Sequence, residues 1–333
     1  MTYKFKIVLL LLVFTLFSVS LLPAENLKKI AQTGMKWLSI PIGSRGSAMG
    51  GAYTAMANDV SSIWWNPAGI AWTEGGHVFL TQTKWIADIN VNAAALTYQY
   101  KNWGVIGLSF TSADWGTLHG TQLANNPQGY EETGDFSPTN WALGLSYARK
   151  ISDAFALGGN VKYLYEKLGA GNEGDMDTQY SQFVAKMNLL AFDIGTYYYT
   201  GFKDLRFAMS FQNFSAEKKY RAEHFPLPLT FKFGMAMDVA KFVLDESNHA
   251  VTLSVDAIHP RDFSERLHFG MEYSFKDLVF LRGGYKTNYD EEDVSFGAGL
   301  HYGLSGLAFS LDYSYVQFQN FDAVQMFSFD FNF

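Results

Sequence analysis

The feature that most constrains the fold is an alternation of apolar and polar residues, repeated in segments of about ten residues from residue 76 onward. In the last segment, AVQMFSFDFNF, one face carries Phe327, Phe329, Phe331 and Phe333, and the other carries Met326, Ser328, Asp330 and Asn332. The segments GLAFSLDYSY, RLHFGMEYSF and LTFKFGMAMDV repeat this pattern. Because successive side chains of a β-strand point to opposite faces, a period of two predicts strands with one apolar and one polar face.

The length and composition of these segments separate two kinds of all-β protein. A soluble β-sandwich alternates in the same way, but its strands usually span five or six residues. About ten residues are what a tilted strand needs to cross a bilayer, and the apolar faces carry aromatic residues near their ends, as at Trp103, Trp141 and Tyr315. The opposite faces mix small and polar residues with single charges, which is too polar for a dry core. The pattern therefore predicts an all-β membrane protein, an antiparallel outer-membrane β-barrel.

We count about fourteen such segments, an even number, as in single-chain bacterial barrels. The segments begin near Val78, Ile89, Trp103, Trp141, Phe155, Met187, Leu205, Leu229, Val251, Leu267, Val279, Val294, Leu307 and Val324. The segments at Ile89 and Met187 have an ambiguous phase, which we attribute to β-bulges. Tight turns alternate with long polar loops, the longest being 111–138, 169–184 and 215–226. Because short turns face the periplasm in such barrels, both termini should be periplasmic.

The N-terminal segment predicts export. Residues 1–24 combine Lys4 and Lys6 with the apolar stretch Ile7–Leu22 and a cleavage site near Ala24, which is the pattern of a signal peptide. A single anchoring helix is the alternative, but the apolar stretch is short for one. The sequence contains no cysteine, which excludes a lipoprotein and a disulfide framework. The net charge of −7 argues against nucleic-acid binding, which depends on basic residues that neutralise phosphates.

Residues 25–75 are predicted to form a short helical plug in the lumen of a barrel formed by residues 76–333. The stretch AMGGAYTAMANDVSSIWWNPAGI (48–70) is too rich in small residues for a core helix and too apolar for a surface loop. Its small residues permit close packing on the wall, its polar residues can meet a polar inner face, and Asn66-Pro67 should end a helix and turn the chain. The candidate plug or gate residues are Gly50, Gly51, Asn58, Asp59, Trp64, Trp65, Asn66, Pro67, Ala68 and Gly69.

Charged residues interrupt the polar faces of the predicted strands. Those predicted to face the lumen are Lys162, Glu166, Arg206, Lys232, Asp238, Asp256, Glu272, Arg282, Asp312 and Asp330. We favour ion pairing across the lumen, because an unpaired buried charge is costly. The alternative is a selectivity lining for a charged solute, but the two signs are mixed rather than separated into patches.

The sequence shows no catalytic constellation, no cofactor motif and no metal-ligand spacing. His259, His268 and His301 lie on or near predicted strands, but the sequence does not bring them together with a nucleophile. We therefore expect no enzymatic activity, no cofactor and no metal site.

Several stretches together resemble one known family. They are IGSRGSAMGGAYTAMANDVSSIWWNPAGIA, TKWIADI, ALGLSYARKISDAFALGGNVKY, PLPLTFKFGMAMDV, VDAIHPRDFSERLHFGMEYSF and FLRGGYKTNYDEE. The sequence is similar to the PorV/PorQ family, a branch of the FadL-like fourteen-stranded outer-membrane barrels, over nearly the whole mature chain and in the same order. FadL-like relatives have an N-terminal plug with an asparagine-proline-alanine motif inside the barrel, and Asn66, Pro67 and Ala68 match that motif.

The resemblance implies two functions of different classes. PorV-like proteins serve type IX secretion: they bind the large translocon, receive cargo proteins and hand them to a surface sortase, while PorQ-like proteins belong to a surface attachment complex. FadL-like relatives instead carry hydrophobic compounds inward. We expect the secretion role, with a translocon, cargo proteins or a sortase as partners. The alternative is transport of hydrophobic small molecules, with a hydrophobic ligand as partner.

The C-terminal strand carries a further signal. Phe329, Phe331 and Phe333 place aromatic residues at alternate positions up to the last residue. This pattern fits recognition by the barrel-assembly machinery, and it also suits a face that contacts outer-membrane lipid.

Overall fold

The computed structural model describes residues 32–173, 181–219, 223–242, 248–304 and 306–333. Within these residues, fourteen antiparallel strands close into a single barrel, as predicted. The strands are β1 (Gly76–Lys84), β2 (Asn90–Tyr100), β3 (Gly104–Asp114), β4 (Thr139–Lys150), β5 (Phe155–Glu173), β6 (Ser181–Tyr199), β7 (Arg206–Phe214), β8 (Thr230–Asp238), β9 (His249–Pro260), β10 (Arg266–Phe275), β11 (Val279–Lys286), β12 (Glu292–Leu304), β13 (Leu307–Phe318) and β14 (Val324–Asn332). The barrel closes where β1 pairs with β14, with Val78 opposite Phe331.

The alternation predicted from the sequence appears as two faces of the wall. In β13, Leu307, Leu311 and Tyr315 are exposed on the outer face, whereas Asp312 and Ser314 are buried on the inner face. The outer side chains are exposed because no other part of the described chain covers them. No helix among the described residues is long and apolar enough to cross a membrane.

The two ends of the barrel differ in their connections. We call the end that carries Gly76, Phe333 and the short connections the turn end. Its β10–β11 connection contains Lys276 and Asp277, both in the left-handed region with φ of +55° and +52°, as a two-residue type I′ turn requires. We call the opposite end the loop end. Its connections include a hairpin of Leu118–Leu123 with Tyr130–Phe136 and a short one of Lys218–Lys219 with His224–Phe225.

Two details of the predicted strands are wrong. The loop predicted at 169–184 is shorter, because β5 continues to Glu173 and β6 begins at Ser181. The parts of strands that extend beyond the barrel rim need no apolar face, so an alternation of apolar and polar residues does not reveal these parts. The bulge predicted near Ile89 is absent, since β2 pairs continuously with β3 from Asn90 to Tyr100. The alternation in β2 is ambiguous because some of its inward residues at the loop end, such as Val91, are apolar and pack on the chain inside the lumen. The bulge predicted for β6 is present, as a register shift between Phe192 and Ile194.

Residues 34–72 lie inside the barrel, and we call them the plug. They form 3₁₀ turns at Lys36–Ser39 and Pro67–Trp72 and two short helices, α1 (Ser44–Ala48) and α2 (Ser62–Trp65). Tyr53 and Met49 are fully buried at the centre of the lumen. The predicted signal peptide, residues 1–24, and the start of the predicted plug segment, residues 25–31, lie outside the described residues.

Candidate functional site

The plug approaches the wall closely at its glycines. Gly50 and Gly51 have φ of +63° and +74°, a region that favours glycine. A Cβ on Gly50 would lie 2.8 Å from the backbone nitrogen of Tyr285, and a Cβ on Gly284 would lie 2.0 Å from the backbone nitrogen of Gly50. The plug and β11 therefore meet backbone to backbone, which side chains would prevent.

The Asn66-Pro67-Ala68-Gly69 stretch fixes the turn-end half of the plug. The Asn66 side chain is fully buried; its Oδ1 accepts from the Ala68 N–H at 3.2 Å, and its Nδ2 donates to the Thr196 carbonyl of β6 at 3.0 Å. Pro67 occupies the first position of the following 3₁₀ turn, where no N–H is needed. Asn66 thus both caps this turn and joins it to the wall.

Polar wall residues hold the plug through its backbone. Tyr197 donates to the Ala55 carbonyl at 2.5 Å, and Gln212 Nε2 donates to the carbonyls of Trp64 and Trp65 at 2.8 and 2.7 Å. Arg206 Nε also donates to the Ala55 carbonyl, at 2.8 Å. These bonds satisfy backbone carbonyls inside the plug, including those of Trp64 and Trp65 at the end of α2.

Asp256 of β9 bonds the opposite side of the plug. Its Oδ2 accepts from the backbone N–H groups of Tyr53 and Thr54 at 3.1 and 2.8 Å, and the residue is fully buried. Asp256 and Arg206 were predicted to pair with other charges across the lumen. Both instead bind the backbone of the plug.

Arg45 is not among the residues predicted from the sequence, and it connects the plug to the wall by charge. Its Nε and Nη2 donate to the two carboxylate oxygens of Glu272, each at 2.8 Å. Glu272 also accepts from Arg282 Nε at 2.7 Å, and Arg282 Nη1 donates to Asp312 at 2.5 Å. The signal that points to Arg45 is that it is the single lysine or arginine between Lys36 and Lys84, while the predicted inner face carries several acids.

Asn58 and Asp59 form side-chain hydrogen bonds within the plug. Both accept from Arg45 Nη1, at 2.8 and 3.0 Å, and Asp59 also accepts from the Tyr53 hydroxyl. Burial raises the pKa of Tyr53 well above its usual range, and the nearby Asp59 carboxylate raises it further, although the Arg45 guanidinium acts in the opposite direction. The hydroxyl therefore stays protonated and donates. These four residues form a polar centre within the plug.

The other predicted inward charges all lie on the inner face, with different partners. Lys162 contacts Asp193 at 2.8 Å, and Asp330 contacts His77 Nδ1 at 2.9 Å. Asn140 donates to Glu166 at 2.8 Å. Asp238 accepts from the backbone N–H groups of Ala240 and Val251 at 3.0 and 3.2 Å. Lys232 lies 4.9 Å from the ring centroid of Trp65.

A cavity of about 550 Å³ lies between the plug and the loop end of the barrel. Its walls include the loop-end residues Trp85, Trp115 and Tyr289, and its floor includes Trp64 and Trp65 of the plug. The aromatic residues that line it are Trp37, Trp64, Trp65, Trp85, Trp115, Phe263 and Tyr289. Of the predicted plug residues, Gly51, Trp64 and Trp65 reach this cavity, whereas Asn66 and its neighbours lie toward the turn end.

The predicted assembly residues lie at the barrel seam. Phe329 and Phe333 are exposed on the outer face, and Phe331 stacks between Phe309 and Phe333. The backbone of Phe333 exchanges two hydrogen bonds of 2.9 Å with Gly76. The last residue thus belongs to the closing strand pair.

Solved structures with the same fold include bacterial transporters. The toluene transporter TbuX of Ralstonia pickettii aligns with a TM-score of 0.58 and 12% identity, over 88% of this chain and 98% of TbuX. The toluene transporter TodX of Pseudomonas putida aligns with a TM-score of 0.57 and 11% identity, over 86% and 96% of the two chains. A FadL homologue of Pseudomonas aeruginosa aligns with a TM-score of 0.55 and 11% identity, over 87% and 98%. At these identities the likeness shows the fold, which is FadL-like.

None of the curated proteins matches the chain by sequence. The PorV/PorQ assignment is not confirmed by these comparisons, although the FadL-like fold that it implied is. One family model, described as an uncharacterised protein family, UPF0164, matches residues 18–258, and the chain therefore belongs to that family.

Proposed function

We propose that this protein is an outer-membrane transporter of hydrophobic small molecules, the alternative to the secretion role expected from the sequence. In this proposal the outer face contacts lipid, the turn end and both termini face the periplasm, and ligand enters from the loop end. The protein carries out binding and passage, with no chemical step.

The observation that carries the proposal is the cavity of about 550 Å³ between the plug and the loop end. Its size falls within the usual range for small-molecule sites, and such sites are lined mainly by apolar and aromatic residues with a few polar groups. A barrel whose lumen served only to present loops to a protein partner would need no such cavity.

The related structures support the same proposal. TbuX and TodX are toluene transporters, and each aligns over most of this chain. The expected secretion role has no comparable support, because no described feature and no comparison favours a translocon, cargo protein or sortase.

The plug closes the turn-end side of the cavity. Gln212, Tyr197, Arg206 and Asp256 bond it to the wall. Passage through the membrane therefore requires the plug to rearrange or the wall to open beside it. Ligand binding and plug movement are coupled in this proposal, because Trp64 and Trp65 belong to the plug and line the cavity.

A cavity-filling substitution tests the proposal. Ala142 faces inward and lines the cavity, whereas its neighbour Leu143 is 44% exposed on the outer face. We expect Ala142→Phe to abolish saturable binding of apolar aromatic compounds and Leu143→Phe to leave it unchanged. The probes are 4-phenylbutanol and 4-phenylbutyrate, measured by equilibrium dialysis on protein in a neutral maltoside detergent.

Uptake completes the test. Cells that express the protein should accumulate whichever labelled probe binds faster than cells that express Ala142→Phe, at equal levels of folded barrel in heat-modifiability gels. Absence of saturable binding for both probes, or equal uptake by the wild type and Ala142→Phe, would contradict the proposed function.

A further inference from the structure

Two lysines face each other on the outer surface of the barrel, near the loop end. Lys167 of β5 and Lys186 of β6 are directly opposite in the register of these strands, and both residues are exposed. Their neighbours along the chain, Glu166 and Met187, are buried on the inner face. Because successive residues of a strand point to opposite faces, both lysines point away from the lumen and from the plug.

This arrangement has an electrostatic cost. Like charges directly opposite each other on neighbouring strands destabilise a sheet. Among the described residues, neither lysine side chain has a hydrogen bond or an ion pair. The residues next to the pair on the outer face are Thr139, Tyr165 and Asn188, which carry no charge. The described chain therefore supplies no counter-charge for the two lysines.

The length of the strands places the pair at the depth of lipid headgroups. β5 begins at Phe155 at the turn end, and β6 ends at Tyr199 at the same end. About 9–11 residues of a tilted strand cross the hydrocarbon layer of a bilayer. Counted from the turn end, Lys167 and Lys186 both lie just beyond that length.

An aromatic cluster on the same face, closer to the turn end, supports this depth. Trp141 of β4 stacks on Tyr165 with 5.4 Å between ring centroids, and 5.6 Å separates its centroid from that of Tyr163. Asn188 donates to the Tyr163 hydroxyl at 2.8 Å. Aromatic residues with polar edges are typical of the membrane–water interface of such barrels. The lysines thus lie where a lipid carries its phosphate.

We propose that Lys167 and Lys186 bind the phosphate of an anionic lipid headgroup in the leaflet on the loop-end side. Neighbouring strands are about 4.8 Å apart, so two long side chains reach one phosphate. A phosphate that accepts from both ammonium groups removes their repulsion and forms charge-assisted hydrogen bonds. The rest of the lipid lies on the aromatic cluster and on exposed apolar residues such as Leu190 and Leu143. This site requires only that the outer face contacts lipid, and it does not depend on what the lumen transports.

Quenching of Trp141 fluorescence tests the proposal. The probes are phosphatidylglycerol and phosphatidylcholine with brominated acyl chains, which quench a tryptophan only at close range. Both headgroups contain a phosphate, but only phosphatidylglycerol has a net negative charge. The parent protein carries Trp103→Phe, which removes the exposed tryptophan at the turn end, and is reconstituted in phosphatidylcholine vesicles.

We expect brominated phosphatidylglycerol to reach half-maximal quenching at a mole fraction at least about ten-fold lower than brominated phosphatidylcholine, since each lysine near an anionic lipid surface contributes about five-fold. Lys167→Met and Lys186→Met should each reduce this preference by about five-fold. Lys167→Glu should abolish it, because the new carboxylate pairs with Lys186 across the strands.

Lys84→Met is the matched control. Lys84 is also exposed on the outer face at the loop end, but Gln325 and Asn90 are opposite it instead of a second cation. The preference should stay within about two-fold of the parent value. Heat-modifiability gels establish that each variant is folded, and the comparison of the two lipids on the parent protein needs no lysine variant.

Three results would overturn the proposal. The first is equal quenching of the parent protein by the two lipids. The second is a preference that persists in the folded variants Lys167→Met, Lys186→Met and Lys167→Glu. The third is loss of the preference on addition of excess inorganic phosphate at an ionic strength matched with chloride, which would show a site for free phosphate instead of a lipid.

Discussion

Arg45 shows how much of this protein's organisation rests on one side chain. It donates two bonds to Glu272 of the wall and one each to Asn58 and Asp59 of the plug. A bidentate arginine–carboxylate pair is directional as well as strong. The orientation of the plug against β10 therefore depends on Arg45, because no other plug residue in the described structure pairs by charge with that strand.

We expect Arg45→Met to lower the free energy of unfolding by about 3 kcal/mol, because Glu272 and Asp59 each lose a cationic partner. Equilibrium unfolding in urea with the protein in detergent micelles provides the measurement. Arg149→Met, at an exposed position of β4, is the control and should change stability by less than about 0.5 kcal/mol. A loss in Arg45→Met no larger than in this control would mean that the pair does not hold the plug.

The outer face gives a second prediction for a single residue. Leu311 is 55% exposed, near the middle of β13. If this face contacts lipid, Leu311→Arg should destabilise the folded barrel by about 2–4 kcal/mol, since a cation at the bilayer midplane is poorly solvated. Leu118→Arg, in the exposed hairpin at the loop end, should have little effect in the same unfolding titration in lipid vesicles. Similar effects at both positions would argue against a lipid-facing outer surface.

At the scale of elements, the docking of the plug on β11 depends on a glycine. Gly50 combines a φ of +63° with a Cβ site 2.8 Å from the Tyr285 nitrogen. Gly201 has a similar φ of +77°, but a Cβ there would meet nothing within 4 Å. The two positions separate backbone strain from close packing.

We expect Gly201→Ala to cost about 1 kcal/mol from backbone strain alone. Gly50→Ala should cost clearly more, because the plug must also move away from β11. Limited proteolysis of the plug, together with urea unfolding, measures both effects. Equal losses in the two variants would show that close approach at Gly50 contributes nothing to stability.

The closing strand pair gives a second prediction at this scale. Phe333 completes the ladder between β14 and β1 through its two bonds with Gly76. Deletion of Phe333 should reduce the amount of folded barrel in the membrane, because the seam loses its last pair and the C-terminal aromatic signal. Heat-modifiability gels measure the folded fraction, and Asn320→Ala in the β13–β14 loop serves as the control. A folded fraction equal to that of the control would contradict the role of Phe333 in assembly.

At the scale of the whole molecule, the plug closes a lumen that the wall alone would leave open. A fourteen-stranded barrel is wide enough that its interior must be filled or remain wet. Residues 34–72 fill it with a core around Met49 and Tyr53, both fully buried. The closed state is thus a property of the chain inside the barrel.

Removal of residues 34–72 should therefore convert the protein into a conducting pore. The wild type should show low conductance in a planar bilayer, and the deletion variant should show stable open channels. Heat-modifiability gels establish that the deletion variant forms a barrel before conductance is compared. A folded deletion variant with the conductance of the wild type would mean that other parts of the chain close the lumen.

The strand count and the face of each strand could be predicted because they follow from local alternation. Leu311 and Asp312 illustrate this, since neighbouring residues on a strand must lie on opposite faces whatever the rest of the chain does. The plug segment was also recognisable, because its composition suits neither a core helix nor a surface loop. The length of the β5–β6 hairpin was not predictable, since residues 169–173 lie where no membrane imposes an apolar face.

The sequence by itself determined the barrel, its fourteen strands and a plug ahead of them, because periodicity and composition are local properties. Only the tertiary structure decided the partners: Asp256 binds the backbone of Tyr53 and Thr54, and Arg45 binds Glu272. Register around a closed barrel and the path of the plug bring together residues far apart in the chain. Alternation assigns a residue to a face, but it does not say what lies opposite.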